Sequence, residues 1–341
     1  MNLHCYRGTI VVVNKFFLGI KVQKIILTVF LLGLVSCSGL KKAALGPAGS
    51  LIYDASNDLL HEDDWQFFEE SLISNIKLIE TLLSQDPNNE ELKVTLIKAL
   101  SAKAFAIDET YYLEHKLKDT ENSIHKKRAK IAYTKALKYS ASLFKSRGLS
   151  ESLLTDYVAK PDELKNMISE NFDDDSELDI EFVFFTGQSL ASIVNLSREN
   201  FKVVAYLPVA KALFDWACEK RPNINGGACD IFNASYMAAR PRMLGGNPEK
   251  GREMFEKAIS ERSDNYLVRE AMVENYQILV ADDVGYRRIK NDFGDLKQKL
   301  KDSKVWTGEK LRAPEKNSLN VFNMIALKRM EIIEANEDDI F

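Results

Sequence analysis

The sequence predicts an all-α fold, a helical-repeat array. Two observations carry that expectation. Turn formers are scarce, with 16 glycines and 8 prolines in 341 residues, where an average chain would hold roughly 12% of the two together. Apolar residues also recur with a 3.6-residue period from Leu59 onward, and no alternating strand-like segment of convincing length interrupts them. The remaining composition is ordinary: 45% hydrophobic, 28% charged, formal net charge −4. These values exclude a disordered chain, a multispan membrane protein and a strongly basic nucleic-acid binder.

The chain opens on an address segment. Residues 1–36 carry Arg7, Lys15, Lys21 and Lys24 and no acidic side chain. The apolar run from Ile25 to Val35 has the length of a signal-peptide core and is too short for a permanent membrane span. Leu34-Val35-Ser36-Cys37 then fits the lipobox of bacterial lipoproteins, where the cysteine thiol takes diacylglycerol, cleavage falls before it, and its new amine is acylated. Several acyl chains on one residue anchor stably where a single chain is marginal. Val22, read as an initiation codon, would leave a compact signal over 22–36. The expected organisation is a lipoprotein signal peptide over 1–36, a lipidated tether over 37–57 and a single helical-repeat domain over 58–341. Ser38, standing where an aspartate would retain the protein at the inner membrane, favours the periplasmic face of the outer one.

The helices follow in order. Leu72, Ile73, Ile76, Ile79, Leu82 and Leu83 form one stripe, stopped by Asp86-Pro87, and Leu92, Leu96, Ala99, Leu100 and Ala106 form the next. Further helices are predicted at about 124–146, 162–170, 177–197, 201–220, 229–240, 247–262, 265–282, 286–302 and 318–336, punctuated by Pro161, Pro222, Pro241, Gly245-Gly246 and Pro314. Pro208 lies inside a periodic stretch and either opens its helix or kinks it. At the second helix of several pairs a pattern recurs: Ala129-x3-Tyr133-x2-Ala136-Leu137, Ala210-x3-Phe214-x2-Ala217 with Pro222 beyond, Gly251-x3-Phe255-x2-Ala258-Ile259, and the degenerate Ile79-x2-Leu82. Small residues let paired helices approach while the aromatic fills the groove to the next pair, as in degenerate tetratricopeptide repeats. The irregular spacing of the copies requires insertions between them.

Candidate chemistry is sparse. All four histidines (His4, His61, His115, His125) fall in the first 125 residues and no GxSxG elbow exists, so neither a catalytic constellation nor an enzyme is expected. A calcium loop begun at Asp173 would need glycine and glutamate at its sixth and twelfth positions, which hold Leu178 and Phe184. The acidic run therefore reads as a helix N-terminus capped by Ser176 or Asp175. Gly245-Gly246 lacks the ending of a phosphate loop and reads as a left-handed turn before a Pro-started helix. Cys218 and Cys229, eleven apart across Pro222-Asn-Ile-Asn-Gly-Gly227, are either a disulfide joining two helix ends or two buried thiols. Zinc is not expected, and no metal or other cofactor is. The aromatic residues between Phe182 and Tyr236 are mostly core at helical spacing, but Tyr206, Phe214 and Tyr236 are candidates for a ligand groove, with Arg240 placed to meet a ligand carboxylate. Arg240 and Arg242 read equally as helix-end residues.

Tyr236-Met-Ala-Ala-Arg-Pro241, Leu244-Gly-Gly-Asn247, Glu249-Lys250 and Phe255-Glu-Lys-Ala258 together resemble the most recognisable block of the TRAP transporter T-component (TatT-like) lipoprotein family. The tail, Asn323-x2-Ala326-x2-Arg329 with Asp338-Asp339-Ile340-Phe341, and the segment Ala129-x3-Tyr133-x2-Ala136-x2-Tyr139 are similar to that family too. Gly251 departs from it, standing where an alanine is usual. The resemblance implies a non-catalytic, periplasm-facing lipoprotein that self-associates, as a trimer. It would work beside a TRAP-type periplasmic substrate-binding protein and exchange a hydrophobic, carboxylate-bearing ligand with it. The alternative of another class is a scaffold lipoprotein that organises envelope proteins through its repeats without handling a ligand.

Overall fold

Most of the principal helices begin at a capping side chain or a proline. In the computed structural model, which describes residues 48–120, 122–303 and 317–341, Asp64 accepts the Phe67 amide to open α1 (Trp65–Gln85) and Asn89 accepts that of Leu92 to open α2 (Glu90–Lys103). A π-turn over Ala104–Asp108 carries α2 into α3 (Glu109–Leu117). Ser123 then caps α4 (Ile124–Ser146), and Pro161 lies in the first turn of α5 (Pro161–Asn171). Ser176 caps α6 (Glu177–Asn195), and Pro208 lies in the first turn of α7 (Leu207–Lys220). The other principal helices are α8 (Ala228–Ala238), α9 (Pro248–Glu261, capped by Asn247), α10 (Tyr266–Met272, capped by Asn265), α11 (Asp283–Ser303) and α12 (Asn320–Glu334). Among the described residues there is no strand; the fold is all-α.

The helices pack mainly on near neighbours in sequence. α2 lies against α1, α4 and α6; α6 lies in turn against α4 and α7; α7 also meets α5. Further on, α8 pairs with α9, and α10 packs on α12. α12 returns to α3, tying the end of the chain to its first third. The main core is continuous through these contacts, with Trp216, Phe144, Phe182, Phe184 and Phe255 among its largest fully buried side chains, and Tyr133 lies in a second, small cluster with Ala104, Ala129, Ala132 and Leu196. These helices lie within one contact unit, Gly46–Phe341; the other, Met1–Leu45, lies outside the described residues, as do the apolar run 25–35, the lipobox with Cys37, and Pro314. No described helix is long and apolar enough to cross a membrane.

Four local features depart from the sequence reading. Residues 48–57, read as part of the tether, are helical, and Tyr53 joins the core. The helix expected over 201–220 breaks after a single turn, Phe201–Val204, and restarts at Leu207 because Pro208 supplies no amide to the preceding turn. The helix expected over 265–282 passes through a second π-turn, Val273–Gln277, and ends at Ala281 in a left-handed conformation (φ 53°). Ile73 is 47% exposed, since one stripe on α1 is satisfied by Leu72, Ile76, Ile79 and Leu83.

Candidate functional site

A half-open cleft of about 590 Å³ gathers residues from five separated segments: 57–60, the first turn of α6, the turn after α7, the end of α9 and the start of α12. The turn after α7 makes its most distinctive wall. Asn225, Gly226 and Gly227 all have positive φ (49°, 65° and 88°), a run that glycine and asparagine alone tolerate cheaply. Close packing requires the glycines as well. A Cβ on Gly226 would come within 2.7 Å of the Phe322 ring, and one on Gly227 within 2.4 Å of the Arg262 side chain. Cys218 and Cys229 are joined in a disulfide with their Cα atoms 5.8 Å apart, so the loop carrying Arg221, Asn223, Ile224, Asn225 and Gly226 is closed covalently at its base.

Ion pairs order the rest of the lining. Arg221 Nη1 donates to Glu177 Oε1 at 2.6 Å, and Arg262 donates to Asp230 at 2.7 Å and to the Asn223 side chain at 2.8 Å. Asn265 donates to the Gly226 carbonyl and accepts the Leu267 amide. Behind the lining residues Asn57 and Glu181, Lys98 Nζ donates to Glu181 Oε1 at 2.9 Å and to Asn57 Oδ1 at 2.6 Å. Glu181 Oε2 and the Tyr53 hydroxyl are buried without a hydrogen-bond partner. Burial first, and then the Glu181 charge, drive the Tyr53 hydroxyl far above its ordinary pKa.

The groove residues named from sequence lie elsewhere. Phe214 is 4% exposed and stacks on Phe232 with ring centres 3.8 Å apart, so it fills core. Tyr206 is half-buried and shares a hydrogen bond with Thr155 at 3.0 Å. Tyr236 and Arg240 do come together: Arg240 lies over the Tyr236 ring at 4.1 Å and donates to its hydroxyl at 2.5 Å. The same guanidinium donates to the Gly245 carbonyl at 2.8 Å, closing the turn between α8 and α9. That turn explains its glycines. Gly245 is left-handed (φ 84°), and a Cβ on Gly246 would stand 1.8 Å from the Arg240 carbonyl. Arg242 is exposed. Asp173, Asp174 and Asp175 are exposed, with Lys220 donating to Asp174 at 2.5 Å, and Ser176 rather than Asp175 caps α6.

A second polar feature was legible in the sequence only through Arg329, and its acidic partners were not. Both π-turns border one buried charge cluster. Arg329 of α12, 5% exposed, donates to Thr110 Oγ1 at 3.0 Å, to the Phe105 carbonyl at 2.7 Å and to Glu274 at 3.4 Å, and stands 3.8 Å from Glu270. Lys116 pairs with Glu274 at 2.7 Å, and the Tyr133 hydroxyl donates to Glu109. Burial pushes the Glu109 carboxyl up to about 7 against the pull of Arg329, and burial likewise raises that of Glu270. Glu274 goes the other way: burial would raise it, but the charges of Lys116 and Arg329 outweigh that.

Arg329 thus emerges as the organiser of the C-terminal segment, and Asn323 joins it by accepting the Tyr266 amide at 2.8 Å and donating to the Asp264 carbonyl at 3.0 Å. These are the tail positions singled out in the sequence, and the family comparison covers them. The family model described as TRAP transporter T-component matches residues 61–341. The chain belongs to that family. Its role is accordingly that of a T-component accessory in TRAP transport, a family of transport components rather than of enzymes. The signature block over 236–258 then has a structural meaning: it sets the α8–α9 pair, in which Gly251 lies so close to α8 that an added Cβ would stand 2.6 Å from that of Ala238. No match is found among curated proteins.

Proposed function

We infer that this T-component is a lipoprotein held through acylated Cys37 at the periplasmic face of the bacterial outer membrane. There it docks a TRAP-type periplasmic substrate-binding protein and exchanges a hydrophobic carboxylate ligand with it. The family match over residues 61–341 is the observation that carries this reading. The order of basic segment, apolar run and lipobox supports the anchor, and the lipid supplies the membrane attachment that an acidic chain does not obtain from charge. Its helices act as degenerate tetratricopeptide-like pairs. Ala129, Ala136, Ala210, Ala217, Gly251 and Ala258, the small positions of the recurring pattern, are all buried, as close helix approach requires. Self-association as a homo-oligomer, a trimer, completes the proposed assembly.

One observation favours the alternative, a scaffold lipoprotein that handles no ligand: the aromatic cluster around Phe214 is packed solid. The full chain, tagged after Phe341 and recovered from detergent-solubilised envelopes of the source cells, separates the two. A TRAP-type binding protein should co-purify in comparable amount. Recovery of other envelope proteins without one would establish the scaffold role instead.

A further inference from the structure

We propose that the outer face of α4 lies on an anionic phospholipid surface and sets how the body is oriented there, a reading that rests on the lipid anchor proposed above. The 23 residues of α4 hold seven lysines and arginines and no acidic side chain, although the chain as a whole carries a net charge of −4. One side of the helix is buried, with Ala129, Tyr133, Ala136 and Phe144 in core clusters. On the other side, at three- and four-residue steps, Lys127, Arg128, Lys135, Lys138 and Lys145 are all exposed. Ile124 and Ile131 stand on the same stripe, each 53% exposed. A cationic face carrying apolar side chains is the pattern of a helix that rests on lipid headgroups.

Little within the protein neutralises this face. Among the described residues, Lys127, Arg128 and Lys138 have no carboxylate within ion-pair distance. Lys145 pairs with Glu151, and Lys135 donates to Glu80 at 3.1 Å. Glu80 is shared, since Lys77 of α1 donates to it at 2.6 Å and brings a charge of its own. Protein interfaces favour aromatic residues and arginine over lysine, whereas this face offers four lysines and one arginine. That composition fits a sheet of phosphates better than a protein partner. The place of α4 in the fold agrees. Gly49, near the start of the described chain, packs so tightly that an added Cβ would stand 2.5 Å from the Asn89 side chain. The next residue, Glu90, accepts Arg147 from the end of α4 at 2.7 Å, so the described chain begins beside that end. Attachment still comes from the acyl chains. All 50 acidic side chains lie outside α4, and an anionic surface therefore repels the other faces while it attracts this one.

The full acylated chain, bearing a fluorophore at Ser142→Cys on this stripe or at Ser260→Cys on α9, both exposed positions, is reconstituted into vesicles with a quencher on their headgroups. On vesicles of mixed phosphatidylglycerol and phosphatidylcholine, the label at 142 should be quenched several-fold more than that at 260. On phosphatidylcholine alone that excess should fall. Lys127→Glu, Arg128→Glu and Lys138→Glu together should remove it, and so should about 1 M sodium chloride, where the screening distance is about 3 Å. The salt measurement carries the test should the triple variant fail to fold. No excess at 142 on the anionic vesicles, or an excess that survives salt or charge reversal in a folded variant, would overturn the proposal. Capture of an acidic periplasmic protein through these three cations, with no lipid preference at 142, would give the face to that partner instead. Flotation with phosphatidylcholine vesicles reports the anchor separately. A chain that floats only with the anionic vesicles keeps the face and loses the anchor, and one that floats with neither loses both.

Discussion

At the scale of single residues, the buried cluster around Arg329 makes stability depend on pH. Glu109 and Glu270 hold their protons more tightly when folded than in the open chain, so the folded state binds more protons and stability falls as pH rises. The contribution is complete below the ordinary carboxylate range and is lost as pH passes through about 7, where Glu109 titrates. For one such carboxyl the loss is of the order of 3 kcal/mol. Glu274 has the opposite sign and contributes above the ordinary range, losing its effect only in acid. Glu270→Gln, which mimics the protonated form, should therefore flatten the decline in denaturation midpoint between about pH 5 and about pH 8; a slope equal to the parent's would remove Glu270 from this role. Arg329 was legible as a tail-motif residue, but Glu270 was not. In Leu267-Val-Arg-Glu-Ala-Met-Val273 a glutamate reads as the solvent face, and only the arginine brought in from α12, 59 positions later, makes a buried place for it.

At the scale of elements, the long periodic helices were readable because capping residues and prolines mark their ends: Ser123, Ser176, Asn247 and Pro161 all act where the pattern begins. The restart at Leu207 and the π-turns were not, since neither changes the apolar period enough to show in a short window. The cleft was invisible for a different reason: its lining is drawn from five segments spread between residues 57 and 322, and each reads alone as an ordinary helix end. The exception is the cysteine pair, whose spacing marked the loop. Closing a loop of this length is worth roughly 2–4 kcal/mol. Cys229→Ser should lower thermal stability accordingly and raise proteolytic nicking within 221–227, the segment that forms the wall. Unchanged nicking would mean that the contacts of Gly226 with Phe322 and of Gly227 with Arg262 hold the wall without the bond.

At the scale of the whole molecule, the family match covers the helical body and says nothing of the first sixty residues, so the lipid anchor stands on sequence signals alone. Radiolabelled palmitate fed to the source cells should enter the parent chain and not Cys37→Ser, which would also keep residues 1–36; a parent chain that takes up no label would refute the anchor. The body itself is closed by α12 returning to α3, and that closure depends on the two π-turns beside Arg329. A π-turn accommodates one residue more than a regular α-helical turn. Straightening 104–108 into regular α-helix at constant length would rotate everything beyond it by about 100° about the axis, carrying Glu109 and Thr110 away from the guanidinium, whereas deleting a single residue there would let the segment relax to α-helix with both still in place. A one-residue gap at that point in a related chain should thus stand beside an arginine retained at the position of 329, and a bioinformatic count of such gaps against the residue found there would test the point without a single purified protein.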